Sequence, residues 1–380
     1  MNKNVIYLGL VSFFTDFATA LINPLLPIFI VVYLNEGVDK LGFVVALSTF
    51  FSYALRVVSG YISDRYGIHK PLLVAGYGLS AVSKPLLGFS QSYKSVAILR
   101  SLERIGKAIR TAPKDSMLAF YGEKKMGRTF GLHQTLDIAG EFGGTVALFL
   151  VLLYLGTAEK TVREVFFFTA IPGAIALFIL IFFVEDIKKG PKKVSFFLER
   201  DDLNIIAKLF FYFLFLFFFF NEAFFTVAAK NRGIDTLYIP ILFLLSTFTQ
   251  TLTSYLSGVL IDRYGAQKIL ALSLFFGTAA QGVLLIEQKW AVAAAFILFG
   301  LFNVFSLNSA RSYIARGKSR GTLYGLFYAA MALFGAAGAY IIGLLWQKIG
   351  EGFTVKLSFA FTFLAATLFC IRSCFGSDSK

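Results

Sequence analysis

The sequence predicts an all-α membrane protein, with twelve transmembrane helices in two six-helix bundles. Three observations carry that prediction. Apolar residues make up 57% of the 380-residue chain and charged residues only 15%, against roughly 25% charged in a soluble domain, and mean hydropathy is +0.72. The apolar residues fall in long runs without alternation. One short loop sequence also occurs twice, at matching places in the two halves.

Crossing the ~30 Å hydrocarbon layer as a helix takes about 20 mostly apolar residues. Twelve segments qualify: 5–33, 41–63, 71–90, 95–113, 129–155, 165–184, 204–229, 237–261, 269–286, 291–311, 321–346 and 353–375. Helices are expected over barrel strands because the runs are long and because lipid forces backbone groups to pair within a segment. The first run follows a lone Lys3 and ends without a small-residue cleavage site, so it reads as a retained span and not a signal peptide. It carries Asp16 and Asn23. The next two bring Arg56 and Lys84 into the bilayer. Span 95–113 is the most charged, with Arg100, Glu103, Arg104, Lys107 and Arg110, the first four close to one face. Span 129–155 sets His133, Asp137 and Glu141 at intervals of four along one stripe. Span 165–184 has no charge. In the second half, 204–229 reads FFYFLFLFFFFNEAFF over 210–225 and contributes Asn221 and Glu222. Its aromatics suit either a cavity wall or a lipid face. Span 237–261 is rich in hydroxyls, and 291–311 holds Asn303 and Asn308. The last span carries Cys370 and Cys374 one turn apart, read as core thiols that cannot form a disulfide framework. With two histidines and no Cys/His cluster, no metal site and no cofactor are expected.

An even number of spans puts both termini on one side. That side holds twenty lysines and arginines, the opposite loops nine, so the termini are predicted to be cytoplasmic. The net charge of +14 is thereby explained as topogenic, without a nucleic-acid partner. The longest basic connection contains Gly190-Pro191 and divides the chain into an N-terminal bundle (1–190), a linker (191–203) and a C-terminal bundle (204–380).

The repeat is GYISDRYGIHK at 60–70 and GVLIDRYGAQK at 258–268, identical at six of eleven positions, each joining the second span of its half to the third. Gly60 and Gly258 suit close helix packing in lipid, and Gly67 and Gly265 a tight turn with positive φ. Asp64 and Asp262 end their helices, within expected reach of Arg110 or Lys114 and of Arg311. Arg65, Lys70 and Arg263 complete the basic loops.

These loops resemble the cytoplasmic signature of the major facilitator superfamily, Gly-x-x-x-Asp-Arg-x-Gly-x-(Arg/Lys)-(Arg/Lys), with His69 where arginine is usual and Gln267 in place of a basic residue. The span count and six-plus-six split extend the resemblance to the whole chain. It implies the major facilitator fold, in which the loops latch the cytoplasmic side until the protein opens inward. RSLERIGKAIRTAPKD at 100–115 resembles the fourth-span Arg-x-x-x-Gly signature of proton-driven exporters, with Ala108 for the glycine. That segment and SFFTDFATALINPLLP at 12–27 are similar to a prokaryotic multidrug or generic permease subgroup. The fifth-span exporter signature ends Gly-Pro; here it is Gly144-Thr145.

Ionisable groups inside a bilayer are costly and point to function. At ~1.5 Å rise per residue, Asp16, Arg104 and Glu141 share one depth, and Lys107 and Asp137 another. The expectation is a mid-membrane cluster of Asp16, Arg104 and Glu141, with a Lys107–Asp137 pair one layer below. Such a cluster reads as a proton-coupling device or as a static ion-pair network. The resemblance adds that spans one, four, seven and ten line the solute cavity. It assigns substrate binding to Asn23, Arg100, Arg104, Lys107, Asn221, Asn303 and Asn308; on the reading of the buried charges, Asp16, Asp137, Glu141 and Glu222 are the expected carriers of a coupling proton. The expected protein is a monomeric inner (plasma) membrane carrier and no enzyme, exporting a small organic or amphipathic solute against protons. A small-anion uptake or exchange carrier using the basic face of the fourth span is the alternative, and a receptor or channel the third class.

Overall fold

The computed structural model describes residues 2–122, 126–187, 200–315 and 320–375. Among them the chain is helical throughout, with no strand. In order, the helices are α1 (Lys3–Ile22), α2 (Leu26–Ile28, continued by a π-helical turn over Phe29–Tyr33), α3 (Val38–Tyr66), α4 (Lys70–Leu86), α5 (Tyr93–Tyr121), α6 (Met126–Leu155), α7 (Glu159–Phe168) and α8 (Ala170–Phe183). Then follow α9 (Arg200–Lys208), α10 (Phe210–Phe218), α11 (Glu222–Asn231), α12 (Ile239–Tyr264), α13 (Ala266–Val283), α14 (Lys289–Ile314), α15 (Arg320–Ile349) and α16 (Glu351–Phe375). Each of the twelve expected spans is accounted for, and ten are long and apolar enough to cross a membrane by themselves. The two outside that set are α5, which is too charged, and α13, which carries Gln267, Lys268 and Gln281.

Spans one and seven are each broken in the middle. The first breaks at Asn23-Pro24-Leu25, where proline supplies no N–H. The second breaks at Phe219-Phe220-Asn221. Asn221 then caps α11, its side chain accepting from the Ala223 N–H at 3.1 Å. The carbonyl of Phe218 at the end of α10 is taken up by the buried Gln281 Nε2 at 3.1 Å. Asn23 and Asn221 are 198 residues apart (221 − 23), the same offset that relates Gly60 to Gly258. The two breaks therefore occupy equivalent places in the repeat.

The chain divides into two compact units. One comprises Met1–Glu36 and Leu47–Ser195, the other Gly37–Ala46 and Phe196–Lys380. Most of the expected linker lies outside the described residues. In the first unit, α1 packs on α6 so closely that a Cβ at Gly140 or Gly144 would run into the carbonyl oxygens of Phe13 and Phe17. Gly338 of α15 approaches the Phe217 carbonyl of α10 in the same way, again at the offset of 198 (338 − 140). Small residues at such contacts replace the hydrophobic drive that lipid removes. Val5, Leu8, Val11, Leu73, Met117 and Leu180 fill the first unit's core. The second unit includes the start of α3, where the Val38 N–H donates to Gln347 Oε1 at 2.9 Å.

The phenylalanines of the seventh span are core residues. Phe215, Phe220, Phe224 and Phe225 are fully buried, and their rings pack on Phe302, Trp346 and Phe299 at centroid distances of 5.2 to 5.8 Å. Among the expected alternatives, neither a cavity wall nor a lipid face describes these four.

Candidate functional site

The charged helix α5 builds the site because its polar face turns into the first unit, against α1 and α4. Arg100, 5% exposed, donates from Nη1 to Glu103 Oε2 at 2.9 Å and from Nη2 to Asn23 Oδ1 at 2.5 Å. The guanidinium thus joins the fourth span to the break in the first. Arg104 Nε lies 3.3 Å from the same Glu103 oxygen. Glu103 is 1% exposed, and its other oxygen, Oε1, is buried without a hydrogen-bond partner. From α4, the buried Lys84 Nζ donates to the Thr15 carbonyl at 2.9 Å. Lys107 and Asp16 act on one another electrostatically across α5 and α1.

Charge is unbalanced here. Among the described residues the cations Lys84, Arg100, Arg104 and Lys107, with Arg110 acting on two of them, outnumber the carboxylates Glu103 and Asp16. Excess cations in a low-dielectric region are costly unless an anion or water answers them. The arrangement is therefore suited to receive negative charge.

Further along α5, Arg110 donates from Nη1 to Ser80 Oγ at 3.1 Å and covers the Tyr77 ring at 4.1 Å. Lys114 Nζ donates to Ser12 Oγ at 3.2 Å. His133 connects Ser12, 3.0 Å from its Nε2, to Asp137, whose Oδ2 lies 3.3 Å from its Nδ1.

Several expectations are corrected by this geometry. The pairing found for Arg104 is with Glu103, its neighbour on the same helix, and not the expected one across to Asp16 and Glu141; Glu141 is exposed on α6. The Lys107–Asp137 pair is replaced by His133–Asp137, one turn apart on α6, with Lys114 as the nearby cation. Equal depth fixes only the height of two residues; the direction each faces around its helix decides whether they meet. Arg110 donates to Ser80 and Lys114 to Ser12, and the side chain of Asp64, their expected gate partner, lies outside the described residues.

Gly67 and Gly265 have φ of +65° and +90°, the left-handed backbone expected of the turns. A Cβ on Gly60 would sit 3.3 Å from the Ala112 Cβ, a tight approach, whereas a Cβ on Gly258 would meet no described atom within 4 Å. Arg65 donates to Tyr61 at 2.7 Å, and its guanidinium is held protonated beyond its ordinary range by that phenol. Lys70 ties the first loop to the Ile181 carbonyl at 2.8 Å. Asp262, Arg263 and Arg311 are exposed. Among the described residues Asp262 and Arg311 make no ion pair with each other.

In the second unit, Asn308 Nδ2 donates to Ser257 Oγ at 2.8 Å, tying α14 to α12. Asn303 and Glu222 are half-buried, and Asn221 is exposed at the break. Lys84, Glu103, Ser12 and His133 are the polar residues to which sequence reasoning gave no site role; the burial of charge in α4 and α5 was the available signal.

A family model described as Major Facilitator Superfamily matches residues 8–338. An uncharacterized MFS-type transporter of Methanocaldococcus jannaschii is 28% identical over 385 residues, covering 98% of this chain and 94% of that protein. An uncharacterized protein of Mycobacterium tuberculosis (strain H37Rv) is 25% identical over 347 residues, 87% of this chain and 84% of its own. Among solved structures, the nucleoside transporter NupG aligns with a TM-score of 0.79 at 13% identity, covering 98% and 99% of the two chains. A bacterial homolog of the human lysosomal transporter Spinster, inward-facing and unoccupied, aligns at 0.71 with 14% identity, covering 98% and 96%.

Proposed function

The chain belongs to the Major Facilitator Superfamily and is a multi-pass membrane transporter that moves a solute by secondary transport, and we propose that it exports a small organic or amphipathic solute across the inner membrane, exchanging it for protons by alternating access. The solute sits on α5, bound by Arg100, Arg104 and Lys107 with Asn23 at the break in span one. The buried guanidinium of Arg100, shared between Glu103 and Asn23, carries this reading. It places a charged, hydrogen-bonding group at a discontinuous helix, where carriers hold their solutes. Asp16, which acts on Lys107, and Asp137, beside His133, in the first unit, and Glu222 in the second unit, take up the coupling proton. The two glycine turns close the cytoplasmic side, the termini face the cytoplasm, and the carrier works as a monomer.

The surplus of cations favours a second reading, a carrier exchanging small anions that bind Arg100, Arg104 and Lys107 directly. Proteoliposomes loaded with a pH-sensitive dye separate the two. A thermal-shift screen of amphipathic cations and organic anions supplies the solute. Proton exchange predicts a lumenal pH change on adding that solute, lost in Asp16→Asn or Asp137→Asn. Anion exchange predicts labelled-anion counterflow without a pH change, lost in Arg104→Ala. A stabilising solute whose transport survives Arg100→Ala and Arg104→Ala would remove the site from both.

A further inference from the structure

The group around Ser12 has a hydrogen-bond count that admits two states. His133 is 5% exposed. Its Nε2 faces Ser12 Oγ at 3.0 Å and its Nδ1 faces Asp137 Oδ2 at 3.3 Å. Ser12 Oγ also meets Tyr77 Oη at 3.3 Å and receives the Lys114 ammonium at 3.2 Å. We propose that His133 is a proton-binding site of this carrier and that its protonation drives Lys114 off Ser12. The role in transport rests on the proton-coupled reading above; the chemistry does not.

A serine hydroxyl has one donor and two acceptor sites. With neutral His133 carrying its hydrogen on Nδ1 toward Asp137, Nε2 accepts from Ser12. The two lone pairs of Ser12 then take Lys114 and Tyr77, while Asp137, which also hydrogen-bonds Ser12, competes with His133 for the single hydroxyl proton. The imidazolium donates from both nitrogens, so Ser12 Oγ would face a third donor, and two cations would share one oxygen. Tyr77 can turn to accept the Ser12 proton, but the repulsion between His133 and Lys114 remains, and Lys114 leaves. An acceptor is waiting: Asp137 Oδ1 is buried with no hydrogen-bond partner, and Asp137 already acts on Lys114 electrostatically.

The other charges facing this group are Asp16 from α1 and Asp115 from α5, both acting on Lys114, and Arg110 of α5 over the Tyr77 ring. The consequence travels along one helix. Lys114 is seven residues from Lys107 and fourteen from Arg100, on nearly the same face of α5 and about 21 Å from Arg100 along the axis. A proton on His133 therefore releases the far end of the helix that presents the solute cations.

The chain has only two histidines, so ¹⁵N-imidazole NMR of the His69→Gln protein in nanodiscs reads His133 alone. The expected result is an Nδ1–H tautomer at high pH that converts to imidazolium on acidification. Lys114→Met, or Lys114→Gln should the methionine variant not fold, raises the midpoint by about one pH unit by removing a competing cation, and Asp137→Asn lowers it by about as much. An Nε2–H tautomer that persists from about pH 9 to about pH 5, or a midpoint that the Lys114 variants leave unmoved, overturns the proposal. No solute is needed, so this result and the transport result fail independently.

Discussion

Glu103→Gln tests the buried cluster most severely. One carboxylate oxygen of Glu103 answers both Arg100 at 2.9 Å and Arg104 at 3.3 Å, and the Arg100 and Glu103 side chains are 6% and 1% exposed. Glutamine keeps the shape and one acceptor but removes the charge, raising the cation excess by one. Breaking a buried pair by neutralising one partner costs about 3–5 kcal/mol, because the remaining charge is left uncompensated. At roughly 2–4 °C per kcal/mol for a unit of this size, the melting temperature falls by about 10 °C. Thermal unfolding of the purified protein followed by intrinsic fluorescence reads the shift, and Glu103→Gln with Arg100→Gln should recover part of it as a coupling of roughly 1–3 kcal/mol. A Glu103→Gln protein melting within about 1 °C of the parent would mean that the guanidinia are answered by something other than Glu103, and the charge count would be wrong.

Three other expectations follow from particular contacts. Lys84→Met removes one of the surplus cations at similar side-chain length, so it should be neutral or stabilising, within about 1.5 kcal/mol, while weakening the binding of an anionic solute; both are read by thermal shift with and without that solute. Gly144→Val drives a side chain against the Phe17 carbonyl and should cost about 3 kcal/mol or abolish folded protein in size-exclusion chromatography. Gln281→Leu strands the Phe218 carbonyl and removes the acceptor of Thr362 Oγ1, 2.9 Å away, so a loss of about 1–3 kcal/mol is expected in the same melting assay.

Much of the fold was legible because the bilayer imposes its own arithmetic: span lengths follow from its thickness, and the repeated glycine turns from a backbone that no other residue adopts cheaply. Asn23 and Arg100 were both expected at the solute site, Asn23 through the family resemblance and Arg100 through that and the charged face of span four. The rest needed three dimensions. Pro24 hints at the first helix break, but nothing in a run of phenylalanines marks the second, whose freed carbonyl is satisfied by Gln281 sixty-three residues away. Arg104 was matched to Asp16 and Glu141 by depth alone, and the nearer Glu103 captured it. His133 and Ser12, 121 residues apart, meet only because Gly140 and Gly144 bring α6 against the backbone of α1.

The account stands on the claim that the solute is held by the cations of α5 beside the break in span one. A structure determined by cryo-electron microscopy with a solute from the stabilisation screen tests it most directly. The prediction is density within hydrogen-bonding distance of Arg100, Arg104 or Lys107, with the acidic or polar end of the solute against the guanidinia. A solute seated elsewhere, with the Arg100–Glu103–Asn23 contacts unchanged and nothing bound beside them, would contradict it.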